Sequence, residues 1–463
     1  MRINLLTTTK CNFKCKYCFA RADTHNKYFD QADKWNIDLK KLTRFFQDIL
    51  DFQHHVIRLQ YYGGEPILRL DKMIEIAKHI HNKINKTSYS YHSKPNVFFG
   101  VITNGTYLTA ENIESLVYYG IKFNISFDFV EEISKYNRDE SVSIKHLKEI
   151  VKNYKKAIHK HYPFLDKYPE FYQKKLMSLT IQTVTTKKHI KLGASTLLDR
   201  YRELLKKIDN ENPDPKYKGL IHFNVKILDT EPIIKDYYQG KISFKEYKEF
   251  LDNILVTPDE FENYYRDCLT YLKENDIPLY IENNFVNFLL CLFGKSSIVD
   301  NNILCSLGQN YLSILPNGDI WLCPTFAQYR SFNTDNAISK VAYVGNINDG
   351  LLYSKLFLSG ELHERLNYIN HNTSTCHMFC DVGDVCQSCP ADYILKNNTM
   401  NSPVGSYRCS IFSKIYKVCN EFYNQLDEKT KKEYHEQALL YLFGSNEAYM
   451  PVSKYLIDIS TKK

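Results

Sequence analysis

The chain has no apolar run long enough to cross a bilayer: the longest, around Phe285 to Phe293, falls well short of the roughly 20 residues that a spanning helix needs. It has no internal repeat and no low-complexity linker, and Met1 runs straight into a presumed first strand without a secretory signal. Charge of one sign is also lacking, because a formal +7 is interspersed with acids along 463 residues. That balance gives no electrostatic case for a nucleic-acid partner. These absences leave a cytoplasmic protein, off the membrane, long enough for two or three domains.

What the chain does have is thirteen cysteines, an odd number clustered at metal-ligand spacings. In a reducing compartment such cysteines are poor candidates for disulfides, so metal or redox chemistry is the default. The stretch TTTKCNFKCKYCF from Thr7 to Phe19 places Cys11, Cys15 and Cys18 on one short loop after a strand. Gaps of three and then two residues let such a loop wrap three corners of an iron-sulfur cube and leave the fourth iron open. Structural zinc is closed and tetrahedral, and no fourth protein ligand is adjacent, His25 being the nearest histidine. Taken alone, the triad fits an iron-sulfur site, a zinc knuckle or chance spacing.

Residues 3 to 9, 56 to 62, 97 to 103, 121 to 128, 178 to 185 and 220 to 227 are short and rich in β-branched and aromatic residues. Between them lie helical patterns near 38 to 53, 71 to 84, 109 to 119, 143 to 157 and 192 to 208, with Asp38, Asp71 and Thr109 placed as N-caps. Six strand-helix units predict an α/β fold, an incomplete (β/α)6 barrel of the TIM type. Arg58 and Gln60, then Asn124, Ser126 and Asp128, then His222, Asn224 and Lys226 share one strand face. Ile57 and Leu59, Ile125 and Phe127, and Phe223, Val225 and Ile227 take the other. For one strand this reads as a solvated face, and over three it points to a polar chamber. Residues 159 to 176 and 229 to 258 lack core periodicity and read as lids or excursions.

Gly63, Gly64, Glu65 and Pro66 follow the second strand, two glycines that permit close backbone approach and a proline that fixes the turn. CNFKCKYC together with GGEP, over residues 1 to about 230, resembles the radical S-adenosylmethionine (SAM) superfamily. The resemblance implies that Cys11, Cys15 and Cys18 hold a 4Fe-4S cluster whose open iron is chelated by SAM, and that the backbone of Gly63 to Glu65, with Pro66, binds the SAM amino group. Asn104 in Thr103-Asn104-Gly105, and Ser126 and Asp128 at the end of strand four, are further SAM-binding candidates by the same resemblance. Arg138 is a candidate for the SAM carboxylate and Tyr17 for shielding the cluster near the adenine. Lys10, Lys14 and Lys16 offset the cluster's charge. Active sites of such barrels form at the C-terminal strand ends, where these residues fall. Phe129 departs from the family, whose members carry glycine after the aspartate.

A second region, 305 to 410, holds most of the remaining cysteines. Asn310 to Leu315 and Asp319 to Cys323 predict a hairpin across Pro316-Asn317-Gly318, followed by a helical tail over 411 to 463. Residues 231 to 304 form a helical connection. The cysteine-rich part resembles the SPASM domain, which binds two auxiliary 4Fe-4S clusters. By order, Cys305, Cys323 and Cys389 would hold the first, and Cys376, Cys380, Cys386 and Cys409 the second. Cys268 or Cys291 is available to complete the first, or that site stays open for a substrate thiolate, although Cys291 and Cys419 also read as buried structural cysteines. Gaps of three, five and two in the quartet depart from the family's two, five and three, and zinc knuckles are the alternative.

The resemblance implies SAM and three 4Fe-4S clusters as cofactors, and an enzyme that modifies a peptide or protein side chain. Thioether or carbon-carbon crosslinking of a ribosomally made peptide is favoured over sulfatase-type maturation, since Pro324 stands where that kind carries aspartate. Small-molecule radical chemistry and a zinc-stabilised binding module are the rivals. An external one-electron reductant such as a flavodoxin or ferredoxin is expected. With no leader-binding domain ahead of the barrel, a separate leader-binding protein is expected too.

Overall fold

The computed structural model describes residues 1–18, 33–52, 54, 56–84, 97–161, 179–208, 221–226, 233, 237–238, 240, 242–275, 311–328, 341–365 and 407–433. Nine strands, β1 Arg2–Thr8, β2 Ile57–Gly63, β3 Val97–Thr103, β4 Ile121–Ser126, β5 Leu179–Val184, β6 Ile221–Lys226, β7 Tyr311–Ile314, β8 Asp319–Trp321 and β9 Tyr343–Asn346, form one sheet. Their order is β6-β5-β4-β3-β2-β1-β7-β8-β9. The first six are parallel throughout, as expected when each crossover carries a helix. The sheet is open rather than a closed ring of eight.

Among the described residues these helices accompany it: α1 Leu39–Phe52, α2 Leu70–Lys83, α3 Ala110–Tyr118, α4 Glu131–Asn137, α5 Ile144–His161, α6 Lys187–Lys191, α7 Ala194–Ile208, α8 Phe244–Asn253, α9 Pro258–Glu274, α10 Pro324–Gln328, α11 Tyr353–Leu358 and α12 Tyr407–Asn424. The crossover helices each bury one stripe, such as Leu42, Phe45, Phe46 and Ile49 of α1 and Met73, Ile76, Ala77 and Ile80 of α2. These stripes join the core against one face of the sheet. Tyr61 donates to the Met73 carbonyl of α2 at 3.2 Å, and the Phe123 ring packs 5.0 Å from Tyr154 of α5. The opposite face carries the polar side chains expected there, with Arg58, Gln60, Asn124 and Ser126 half-buried. Asp128 departs from that expectation: it lies beyond the end of β4 and is fully buried. The side chains of His222, Asn224 and Lys226 lie outside those described.

Asp38 and Thr109 cap as expected, Asp38 accepting from the Lys40 and Lys41 amides and Thr109 from that of Asn112. Asp71 does not cap. A 3-10 turn, Pro66–Arg69, leads into α2, so the N-cap position falls on Arg69 and Asp71 sits in the first turn. The stretch read as an excursion over 229 to 258 contains α8, which Ser243 and Glu246 begin with a reciprocal capping box. Two short helices, α4 and α6, fall outside the pattern read from sequence. Of the excursion at 159 to 176, only the end of α5 is described.

The hairpin across Pro316-Asn317-Gly318 is formed, β7 and β8 being antiparallel. Gly318 takes φ +91°, and an added Cβ would meet the Asn346 side chain at 2.8 Å. Strand β7 pairs parallel with β1, Arg2 opposite Tyr311 through Leu5 opposite Ile314, so the hairpin extends the barrel's own sheet. The helical tail begins at Tyr407, placing Cys409 in its first turn. Among the described residues, no helix is long and apolar enough to cross a membrane.

Candidate metal and cofactor site

The cysteine loop leaves β1 at Thr8, whose hydroxyl accepts from the Lys10 amide at 3.1 Å, while the Thr9 amide donates to Asp33 at 2.7 Å. Beyond this, Cys11 Sγ accepts from the Phe13 amide at 3.4 Å, and the Cys18 amide donates to the Cys15 carbonyl at 3.0 Å. Cys11, Cys15 and Cys18 are all half-buried cysteines outside any disulfide, with Phe13 and Tyr17 buried between them and Lys10, Lys14 and Lys16 exposed. Burial pushes the Cys11 thiol up, and the Cys18 and Glu65 charges add to that. Cys15 is pushed up to about 12, again by burial first, with Arg138 opposing and Cys18, Asp128 and Cys11 reinforcing. The raised Cys11 and Cys15 thiols, with Cys18 beside them, form a ligand set whose ionisation needs a cationic centre. Among the described residues no three such side chains close on a single ion. Three soft sulfur donors on one loop fit the protein corners of a multi-iron cluster.

The glycine turn packs directly against this loop. The Gly64 and Glu65 amides donate to the Thr8 and Lys10 carbonyls at 2.9 and 2.8 Å. A Cβ on Gly63, which takes φ +148°, would stand 2.2 Å from the Thr8 carbonyl oxygen, and one on Gly64 would stand 2.1 Å from that of Lys10. Both positions therefore require glycine. Glu65 is fully buried and its carboxylate joins three elements: it accepts from Ile67 N at 3.1 Å, Thr103 Oγ1 at 2.7 Å and Asn104 N at 2.8 Å. Burial pushes its carboxyl up, with those three bonds opposing. Asn104 completes the tie to the cysteine loop, donating to Asn12 Oδ1 at 2.9 Å and lying 3.9 Å from Cys11 Sγ.

Asp128, Arg138 and Tyr17 are brought together. The Tyr17 hydroxyl meets both carboxylate oxygens of Asp128 at 2.7 and 2.8 Å, Arg138 donates at 3.0 Å, Asn137 at 3.1 Å and Thr183 at 3.3 Å. Burial alone would push this carboxyl up; Arg138, His189 and the hydrogen bonds outweigh it and hold Asp128 below the usual range. His189 Nδ1 accepts the Thr186 amide at 3.0 Å, so its Nε2–H donates to the Asp128 carbonyl at 2.9 Å. Arg138 is not solvated: its side chain is 6% exposed, and its Nε is buried without a partner. The Lys16 amide donates to the Asn137 carbonyl at 2.8 Å, which fastens the cysteine loop over this network. Sequence reasoning missed Asn137, Thr183 and His189. Only the Thr186-to-His189 spacing carried a signal, and it ends in a histidine rather than the usual Glu or Gln of a capping box.

Phe129, where the family resemblance expects glycine, adopts φ +61°. A left-handed non-glycine residue costs about 1–2 kcal/mol. Its ring is buried with its centroid 4.4 Å from that of Tyr201, edge to face, and burial of a phenylalanine contributes about 1.5–3 kcal/mol. Packing therefore offsets the strain.

Ser126 ends β4 opposite Gln182. Of the auxiliary cysteines, Cys323 is buried after β8 and Cys409 is half-buried on α12. Cys305, Cys376, Cys380, Cys386 and Cys389 lie outside the described residues, as does Cys291. Cys268 on α9 and Cys419 on α12 are buried in the core.

Residues 5–166 match the model of the radical SAM superfamily. The chain carries a radical SAM domain. It is 25% identical over 151 residues to the radical SAM cyclopropyl synthase TigE of Paramaledivibacter caminithermalis, a match covering 31% of this chain and 30% of that protein. It is 29% identical over 153 residues to an S-adenosylmethionine-dependent nucleotide dehydratase of Fibrobacter sp., covering 32% and 41%. The chain thus spans less than half the length of these relatives. Its fold resembles that of native anSMEcpe with bound AdoMet, at TM-score 0.60 and 16% identity, covering 92% of this chain and 100% of that one. The same protein with AdoMet and the Cp18Cys peptide aligns at TM-score 0.54. In the radical SAM domain the three cysteines, the glycine turn and the Asn104 turn all stand at the C-terminal ends of β1 to β3.

Proposed function

We propose that the chain is a radical SAM enzyme that modifies a peptide or protein side chain, most suitably by thioether or carbon-carbon crosslinking of a ribosomally made peptide. The observation that carries this reading is the bonding of three strand ends into one unit: the cysteine loop, the Gly63–Glu65 turn and Asn104, within the matched domain. A 4Fe-4S cluster and SAM supply, when bound, a one-electron route to breaking an unactivated C–H bond. Cys11, Cys15 and Cys18 would hold the cluster. The amides of Gly64 and Glu65 are engaged with the cysteine loop and the Glu65 carbonyl accepts from the Leu68 amide at 3.1 Å, so an ammonium group would be met by remaining lone pairs of the turn's carbonyl oxygens. Arg138 keeps a buried Nε as a donor suited to a carboxylate. Phe13 and Tyr17 exclude water from the inner side of the loop.

The peptide class is supported by the fold's likeness to a protein whose structure was determined with a peptide, and Pro324 after Cys323 offers no carboxylate for sulfatase-type chemistry. In this reading Cys323 and Cys409, with Cys305, Cys376, Cys380, Cys386 and Cys389, carry two further clusters. A flavodoxin or ferredoxin supplies electrons, and a separate leader-binding protein presents the substrate in the cytoplasm. Anaerobic co-expression with small peptides encoded beside the gene tests it by mass. A loss of two hydrogens per modified site, absent with Cys15→Ala, is expected; unchanged masses would overturn the peptide class. About twelve iron and twelve sulfide per chain are expected for three clusters, and about four for one. Zinc without sulfide would end the enzyme reading.

A further inference from the structure

On the face of the sheet opposite the buried stripes of α1 and α2, below the cysteine loop, carboxamides occupy neighbouring strands. Register sets Asn4 opposite Gln60, Gln60 opposite Gly100, Gly100 opposite Lys122, and Ser126 opposite Gln182. Residues in register on parallel strands project from the same face, as do residues two apart on one strand. Asn4, Gln60, Asn124 and Gln182 therefore share a floor, with Gly100 in its middle. The Gln60 amide lies across Gly100, where an added Cβ would stand 2.8 Å from its Oε1. Asn124 donates to Gln182 Oε1 at 3.0 Å.

Two carbonyl oxygens on this floor have no donor. Asn124 Oδ1 is buried and unpartnered, and so is Asn4 Oδ1, in a residue only 5% exposed whose amide donates to the Tyr311 hydroxyl. A buried acceptor left unmatched keeps its desolvation cost until a donor arrives. Among the described residues the carboxylate that register places on this face is Asp319 of β8, which Asn317 and Asn346 already engage at 2.8 Å each, and the cations Arg2, Arg58 and Lys122 stand toward the strand starts, away from the cysteine loop. Gln60 precedes the Gly63 turn by three residues, so the floor lies roughly 10 Å beneath it at about 3.3 Å per residue.

We propose that this carboxamide floor binds the backbone of a peptide substrate, with Asn4 and Asn124 accepting its amide N–H groups and Gln60 meeting its carbonyls. This rests on the peptide reading given above. Neutral carboxamides reproduce the donor and acceptor pattern of a peptide group, whereas a nucleoside triphosphate would have to bind at the cations below.

The test uses the reconstituted full chain under anaerobic conditions. A pooled library of N-acetylated, C-amidated tetrapeptides covering all side chains is passed through ultrafiltration with the protein and read by mass spectrometry, with cytidine triphosphate in a parallel run. Peptides should be retained by the wild type and about tenfold less by Asn124→Leu, the loss expected for one hydrogen bond of about 1.4 kcal/mol. Gly100→Ala, which displaces Gln60, should also lower retention. A melting temperature for Asn124→Leu at or above that of the wild type shows that the loss is not unfolding. Equal retention by wild type and Asn124→Leu, no peptide retained by any form, or retention of cytidine triphosphate in place of peptide would each overturn the proposal. SAM cleavage by the dithionite-reduced wild type, measured without peptide, separates the two readings: cleavage without peptide retention sinks the floor alone, and absence of cleavage sinks the enzyme reading.

Discussion

Around Asp128 both carboxylate oxygens are met several times over, by Tyr17, Arg138, Asn137 and Thr183, whereas on the chamber floor Asn4 and Asn124 each leave a carbonyl oxygen unmatched. Both regions are polar and enclosed by the same strands. The difference is what each is bonded to: the first fixes one part of the chain against another, and the second keeps acceptors for something else. A saturated network resists substitution because every member holds its neighbours. An unsaturated one is expected to tolerate change in the empty protein and to show its role only with ligand.

Substitutions in the two regions should separate these roles. Asp128→Asn leaves the Arg138 guanidinium buried without its counter-charge, and breaking such a pair costs about 3–5 kcal/mol; urea unfolding should show the largest loss here. A loss under about 1 kcal/mol would mean that the pair is solvated in solution. Acid titration sharpens the same point. The folded Asp128 carboxyl titrates below its ordinary value near 4, so its stabilisation is complete above that pH and is lost as pH falls through the depressed folded value. The wild type should therefore lose stability more steeply below about pH 4 than Asp128→Asn, and parallel curves would refute the assignment.

Phe129→Gly is expected to cost less, about 2 kcal/mol, since removing a buried ring costs about 3–5 kcal/mol while relief of the left-handed strain returns about 1–2 kcal/mol. A stabilised variant would show that strain outweighs packing. The smallest effect belongs to the floor, where Asn124→Leu should change thermal stability by less than about 1 kcal/mol, measured without ligand.

The barrel strands were legible because β-branched and aromatic residues alternate with the residues of a half-buried face along them, and β1 to β6 fall within two residues of the spans read from sequence. The cysteine loop and glycine turn were legible as motifs, since their spacing is local. Asp128 was misread as part of the chamber wall because alternation assigns faces only while the strand continues, and β4 ends at Ser126. Its partners Asn137, Thr183 and His189 come from three separate elements, a convergence that no local window contains. Asp71 was misplaced as a cap because the 3-10 turn before α2 is set by Glu65 and Pro66, residues read for the cofactor turn rather than for a helix start.

The pairing of β7 with β1 has a consequence for how the chain can be cut. β1 carries the cysteine loop and is covered along both edges, by β2 on one side and by a strand more than three hundred residues later on the other. A fragment ending before Tyr311 would strip one edge from β1 and expose unpaired backbone groups of an apolar strand, the condition that favours edge-to-edge association. The N-terminal part is thus expected to fold poorly without the strand that covers it. Expression of residues 1–300 alone should yield aggregates, and supplying residues 305–463 in trans is the complementation that would restore a protected edge.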